Sequence, residues 1–321
     1  MKNKIIIISG DPNSINSEII YKTWQKIDTS VKKKIYLISN IELLKHQFKH
    51  LGYSLELHKV KNIDENTKNN KLKVIDLDLK FTNPFKVPKA LSSKFVIKSL
   101  NYAHKLALNK DVNGIINCAI SKNLLNKDKI GVTEYLAKKN KIKNNSEVML
   151  ISNKKLSVSP ITTHVDIKQI SKKIVSASII NKIKTINNWF IKKFKKKPKI
   201  AILGLNPHNA ELRKNSEEIK IIIPAISKLK KIGINLKGPF VSDTIFINEY
   251  KNYDVIVGMF HDQVLAPFKT LFKFDAINIT LGLKYLRVSP DHGPAVDLIG
   301  KNKADALSLL KCINFINKSK R

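Results

Sequence analysis

The chain has 321 residues, enough for two domains or one large one, and for a core that needs neither disulfides nor structural zinc. Hydrophobic residues make up 43% and charged ones 26%, which excludes wholesale disorder, a collagen-like repeat and a coiled-coil rod; two cysteines, Cys118 and Cys312, exclude a disulfide scaffold and fit a reducing cytosol. The 59 Lys and Arg against 25 Asp and Glu give a net charge of +34, but the lysines are spread along the whole length, so general Lys, Asn and Ile richness is preferred over a nucleic-acid or lipid surface.

In chain order, the apolar run Lys4–Ser9 predicts a buried strand, followed by a turn and a helix over about Ser14–Ile27. Ile5–Ile8 is too short for a signal-peptide core, and no apolar stretch approaches the roughly 20 residues that span a bilayer, so a cytoplasmic location is expected. Further strands are predicted at Ile35–Ser39, Tyr53–Val60, Leu72–Leu77 and Gly114–Ala119, with helices over Ile41–His50 and Leu91–Leu108. Val148–Ser152 and Leu156–Thr163 read as adjacent strands, and a long basic helix is predicted over Ile167–Lys196. Its Lys192–Lys199 run is read as a solvated face rather than a nucleic-acid or lipid patch. Alternation then resumes: strands Lys199–Gly204, Tyr253–Met259 and Ala276–Thr280, helices Ser216–Lys231 and Ala304–Asn317. Strands alternating with amphipathic helices indicate an α/β fold with a mostly parallel sheet. A soft domain boundary falls near residues 120–130, with the C-terminal segment returning to the first domain: 1–125 plus about 290–321, and 126–289.

Three strands end in polar clusters that contain a histidine: Thr162-Thr163-His164, Asn206-Pro207-His208 and His261-Asp262-Gln263. In open α/β sheets ligands sit beyond the carboxyl ends of strands. Three neutral imidazoles with an open position suit a catalytic divalent ion, although the spacing matches no local zinc signature. Lys269, Asn278 and Arg287 follow within one predicted strand–loop–strand unit and offer anion-binding chemistry. Asp291-His292-Gly293 opens a loop into a predicted helix start, where small residues let backbone approach an anionic ligand. No G-x-G-x-x-G occurs, so a nicotinamide cofactor is not held by the standard Rossmann turn.

These residues, with Ser9-Gly10-Asp11-Pro12, Gly131-Val132-Thr133-Glu134-Tyr135-Leu136-Ala137, Gly204-Leu205-Asn206-Pro207-His208, Gly238-Pro239 and Ser242-Asp243-Thr244, occur in the order of a known family. The chain resembles the 4-hydroxythreonine-4-phosphate dehydrogenases, the PdxA family of pyridoxal 5'-phosphate biosynthesis. The resemblance implies a two-domain α/β/α architecture similar to isocitrate and isopropylmalate dehydrogenases, with the active site in the inter-domain cleft. It implies a homodimer dimerising through the second domain, with NAD or NADP and one divalent ion (Zn, Mg or Co) per site. His164, His208 and His261 would be the metal ligands, His261 reaching the neighbouring subunit's site. Thr133, Lys269, Asn278 and Arg287 would contact a small phosphorylated hydroxy-amino-acid substrate, and Asp291, His292 and Gly293 the cofactor. Asp243 and Asp262 are candidate proton acceptors.

The chain departs from the family pattern where Val132 replaces a His, and where Asn13-Ser14-Ile15-Asn16 and Asn209-Ala210-Glu211-Leu212 replace Gly-rich stretches. Val132 keeps open the same chemistry on another phosphorylated hydroxy acid, such as a tetronate 4-phosphate. From different classes, a basic nucleic-acid-binding protein and a catalytically silent dimeric relative are the competing readings.

Overall fold

A computed structural model of the chain describes residues 3–65, 70–125, 131–142, 146–273 and 275–319. Twelve strands lie among them: β1 (Lys4–Ile8), β2 (Ile35–Ser39), β3 (Leu57–Val60), β4 (Leu72–Asp76), β5 (Val112–Asn117), β6 (Val148–Ser152), β7 (Ser157–Thr162), β8 (Ile200–Leu203), β9 (Leu236–Phe240), β10 (Val255–Phe260), β11 (Ile277–Leu281) and β12 (Arg287–Pro290). The chain divides into two compact units, Met1–Lys139 with Lys284–Arg321, and Asn140–Leu283. The first unit is wider than the expected 1–125 plus 290–321. It keeps the helix Val132–Lys139 and β12, and β12 pairs with β5 through Arg287↔Ile115. The expected boundary at 125/126 abuts residues 126–130, which lie outside the described ones.

In unit 1 the strand order is β3-β4-β2-β1-β5-β12, all parallel. Parallel strands are covered on both faces and read as continuous apolar runs; Ile5, Ile6, Ile35, Leu37, Ile115 and Ile116 are fully buried. Helices Asn16–Lys26, Ile41–His50, Lys89–Ala107 and Leu307–Lys318 supply the covering layers. In unit 2 the order is β11-β6-β7-β10-β8-β9. Strands β7, β10, β8 and β9 are parallel, and β6 runs antiparallel to both β7 and β11. A core of Ile151, Val158, Ala201, Leu203, Ile256 and Phe268 lies in this unit.

The α/β reading with a mostly parallel sheet is observed; four local readings are corrected. The long basic helix is broken: Ile170–Lys173 is a single turn, Ile174 and Val175 are extended, and the helix proper runs Ser176–Phe194. Ile174 is buried and β-branched, so packing and χ1 stiffness favour the extended break over a continuous helix. The helix expected over Ser216–Lys231 opens with a wide turn, Glu218–Ile222, in which Ile223 N donates to Glu218 O. Pro224 explains this, because it lacks an amide hydrogen and its ring displaces the carbonyl four residues back. Lys269 lies on a helix, His261–Phe272, rather than in a strand–loop–strand unit. Finally, Asp291–Leu298 ends in only a three-residue turn, Val296–Leu298, and the next full helix begins at Leu307. Among the described residues no helix is long and apolar enough to cross a membrane.

Candidate active site

Unit 2 places the three histidines just beyond the carboxyl ends of adjacent parallel strands. Strands β7 and β10 pair through Thr162↔Phe260, and Thr162 Oγ1 donates to the Met259 carbonyl at 2.7 Å, clasping the two ends. His164 follows β7, and His261 opens the helix that follows β10. Their ring centroids lie 5.9 Å apart, with planes inclined at 36°. His261 Nδ1 lies 2.6 Å from Asp262 Oδ1. A carboxylate at Nδ1 fixes the tautomer and leaves Nε2 as the electron-pair donor, as ligating histidines require.

His208 belongs to a second pair. Its Nε2 lies 4.0 Å from Asp243 Oδ2 and its Nδ1 3.7 Å from Glu211 Oε1. Among the described residues, no three His, Cys, Asp or Glu side chains are gathered so that one chain by itself could hold an ion. The structure thus brings His164 to His261, and His208 to Asp243. The donor chemistry fits a divalent ion, while the number of ligands converging within one chain falls short.

The loop that presents His208 is unusual. His208, Asn209, Ala210, Glu211 and Leu212 all have positive φ, between 43° and 55°, a left-handed turn built without glycine. Left-handed residues with a Cβ cost about 1–2 kcal/mol each, so the turn needs a firm base. Glu218, fully buried, provides one. Its Oε1 accepts from Leu205 N and Asn206 N at 2.8 Å each, and its Oε2 from Asn206 Nδ2 at 3.0 Å. Burial acts to raise the Glu218 carboxyl, but the hydrogen bonds from Asn206 and Leu205 outweigh it and hold the group below the usual range.

Asn278, on β11, has a buried Oδ1 without a hydrogen-bond partner among the described residues. A buried acceptor left unpaired costs about 1–3 kcal/mol, so its place in a ligand contact has a physical basis. Lys269 is half-buried near the end of its helix.

The remaining predicted residues fall in unit 1. Arg287 is buried on β12; its Nε donates to Asn117 Oδ1 at 2.7 Å and its Nη1 to Thr133 Oγ1 at 3.3 Å. Burial lowers the guanidinium to about 10, leaving it charged at neutral pH. Asp291 N donates to Ser308 Oγ at 2.9 Å, and His292 Nδ1 lies 2.9 Å from the Gly293 carbonyl. Among the described residues, His292 Nε2 is buried without a partner, and a Cβ on Gly293 would meet nothing within 4 Å. An orphaned ring nitrogen beside open backbone fits a polar ligand such as a dinucleotide.

Two residues carry more of the geometry than sequence reading assigned them. Asn117 orients Arg287, and Gln263 ties the strand ends together, its Oε1 accepting from Met259 N and its Nε2 reaching Gly204 O. The signal for Gln263 was its place in the His-Asp-Gln cluster; nothing in the sequence singles out Asn117.

The family model described as "Pyridoxal phosphate biosynthetic protein PdxA" matches residues 30–316. A 4-hydroxythreonine-4-phosphate dehydrogenase from Sulfurihydrogenibium sp. is 38% identical over 319 residues, covering 97% of this chain and 96% of its own. The crystal structure of the 4-hydroxythreonine-4-phosphate dehydrogenase from Klebsiella pneumoniae superposes with a TM-score of 0.83 at 28% identity, covering 98% of this chain and all of its own. The isocitrate dehydrogenase from Methylococcus capsulatus, 10% identical with a TM-score of 0.50 over 98% of this chain and 84% of its own, shares the fold alone.

Proposed function

Because the chain belongs to the PdxA family of pyridoxal phosphate biosynthetic proteins, we propose that it oxidises the C3 hydroxyl of 4-phosphooxy-L-threonine with NAD or NADP. The keto acid so formed loses CO₂ to give 3-amino-2-oxopropyl phosphate. The observation that carries this reading is the set of three histidines just beyond the carboxyl ends of the adjacent parallel strands β7, β10 and β8, with His261 held on Asp262 and His208 beside Asp243.

In this reading His164, His208 and His261 would hold one divalent ion, Zn, Mg or Co, with His261 supplied to the site of a neighbouring subunit in a homodimer. A bound divalent ion lowers the pKa of a hydroxyl and stabilises charge on a ketone oxygen. The protein's own groups do the rest. Asp262 orients His261 through Nδ1, so its carboxylate is engaged. Asp243, exposed beside His208 Nε2, would take the C3 hydroxyl proton at Oδ2, and a bound nicotinamide would supply the hydride acceptor. The carboxylate of the keto acid then departs as CO₂, leaving its bonding pair on C2, which picks up a proton. Lys269 and Arg287 hold phosphate and carboxylate, and Thr133 and Asn278 fix the substrate's remaining polar groups, so that remote binding energy aligns the reacting carbon. Asp291, His292 and Gly293 would hold the nicotinamide cofactor.

Val132 is half-buried at the start of its helix and can neither donate nor accept a hydrogen bond. With that contact missing, tetronate 4-phosphate stays open as a second reading of the substrate. Incubating the purified protein with each phosphorylated acid, either nicotinamide and a panel of divalent ions, and analysing products by mass spectrometry, separates them. Release of 3-amino-2-oxopropyl phosphate supports the first reading, and turnover of the tetronate alone supports the second. Turnover of neither removes both.

A further inference from the structure

We propose that Gln263 is a positioning residue whose side-chain amide sets the geometry of His208, His261 and Asp243 by tying together the backbone segments that carry them. A glutamine amide has one acceptor and two donors. Here all are used: Oε1 accepts from Met259 N at 2.6 Å, while Nε2 donates to Gly204 O at 2.7 Å and to Ser242 Oγ at 2.7 Å. Met259 lies two residues before His261, Gly204 four residues before His208, and Ser242 next to Asp243. One side chain therefore bolts the ends of β10 and β8 to the start of the short helix Ser242–Ile245.

The partners also fix which way the amide points. A flipped amide would set its NH₂ against the Met259 N–H and its oxygen against the Gly204 carbonyl, two repulsive contacts in place of two bonds. Its seat requires Gly258: a Cβ there would stand 2.9 Å from Gln263 Oε1 and 2.6 Å from Val264 Cγ1. No other side chain of this length offers one acceptor and two donors. Glutamate keeps the bond from Met259 N but has no proton for Gly204 or Ser242 when ionised, and methionine keeps only the shape. Gln263 thus acts through the histidines and not on the substrate. Supporting groups of this kind typically change metal affinity or activity by 10–100-fold when removed.

The inference rests on the metal-dependent reading above, and the test separates the two. The purified metal-free protein, Gln263→Met, Gln263→Glu and Ser242→Ala are titrated with Co²⁺, following the visible d–d bands of the bound ion, with circular dichroism as the check on folding. The parent protein should bind Co²⁺ with a defined spectrum. Gln263→Met should bind about 10–100-fold more weakly with shifted bands and unchanged secondary structure. Ser242→Ala should lose less, and combining it with Gln263→Met should cost no more than Gln263→Met alone, because both remove one network. Unaltered affinity and spectrum in Gln263→Met overturn the inference and leave the metal reading standing. Should that variant not fold, unaltered binding in both Gln263→Glu and Ser242→Ala overturns it equally. A parent protein that binds no Co²⁺ removes the metal reading and the inference with it.

Discussion

Arg287 Nε donates to Asn117 Oδ1 at 2.7 Å across the neighbouring strands β12 and β5 of unit 1. Both residues are buried, and the guanidinium's planar fork is thereby held in one orientation. Replacing Asn117 by Leu leaves a buried charged N–H without its acceptor, at a cost of about 1–3 kcal/mol. The expected outcome is a lower melting temperature together with a raised KM for the phosphorylated substrate. Thermal melts and steady-state kinetics on Asn117→Leu check both. An unchanged melting temperature contradicts the account of Arg287 as a fixed buried cation.

Asn278 points the other way. Its buried Oδ1 has no partner among the described residues, so an apolar residue of similar size relieves a desolvation cost instead of adding one. Asn278→Leu is expected to melt at the same temperature as the parent or higher, yet to bind substrate at least about tenfold more weakly. Stability gained while function is lost is the mark of a residue kept for a ligand. A variant that loses stability and keeps its KM would show Asn278 to be structural.

The left-handed turn at His208–Leu212 stores conformational cost that glycine would not incur. Glu211 is exposed, with φ 43°, which makes it the simplest place to test this. Glu211→Gly is expected to raise stability by about 1 kcal/mol, read as a shift of the chemical-denaturation midpoint. A fall in stability would mean that the turn is held by contacts rather than strained.

Lys73 gives a pH signature. It is buried on β4 with Nζ 4.1 Å from the centre of the Tyr36 ring, donating to the Lys33 carbonyl. Burial, then the charge of Lys4, lowers its ammonium to about 8. The ordinary value of about 10.4 applies in the unfolded chain, so between these two values the unfolded state binds more protons and stability rises with pH. The parent is therefore expected to gain stability relative to Lys73→Met as pH climbs through that window, with a constant difference below it. Melting both proteins across the range checks this, and parallel pH courses contradict it.

Much of the fold was legible because the chain punctuates itself locally. Strand β2 and the helix Ile41–His50 have the predicted bounds, since the apolar run ends at Asn40, whose Oδ1 caps the helix by accepting from Leu43 N at 2.8 Å. The break at Ile174–Val175 was not legible, because helical spacing of apolar residues persists across it and only burial decides the backbone there. Strand β12 was missed because it carries buried Arg287 and Ser289, polar residues whose partners, Asn117 and Thr133 among them, come from distant parts of the chain. The helix after His261 was hidden by Pro267 inside it. Within the candidate site the three histidines were visible as strand-end residues. Gln263 was visible only as a neighbour, since its work is done by hydrogen bonds to backbone atoms at positions 204 and 259, which no pattern of side chains announces.

Hydride transfer from a phosphorylated hydroxy acid is the central step of the proposed reaction. The decisive measurement is the near-ultraviolet band of reduced nicotinamide when the purified protein meets 4-phosphooxy-L-threonine, oxidised NAD or NADP and a divalent ion, with His208→Ala alongside. The expected result is substrate-dependent reduction that needs the ion and falls by at least about a hundredfold in His208→Ala. Nicotinamide reduction that is indifferent to both the ion and His208, or no reduction with any ion of the panel, would contradict it.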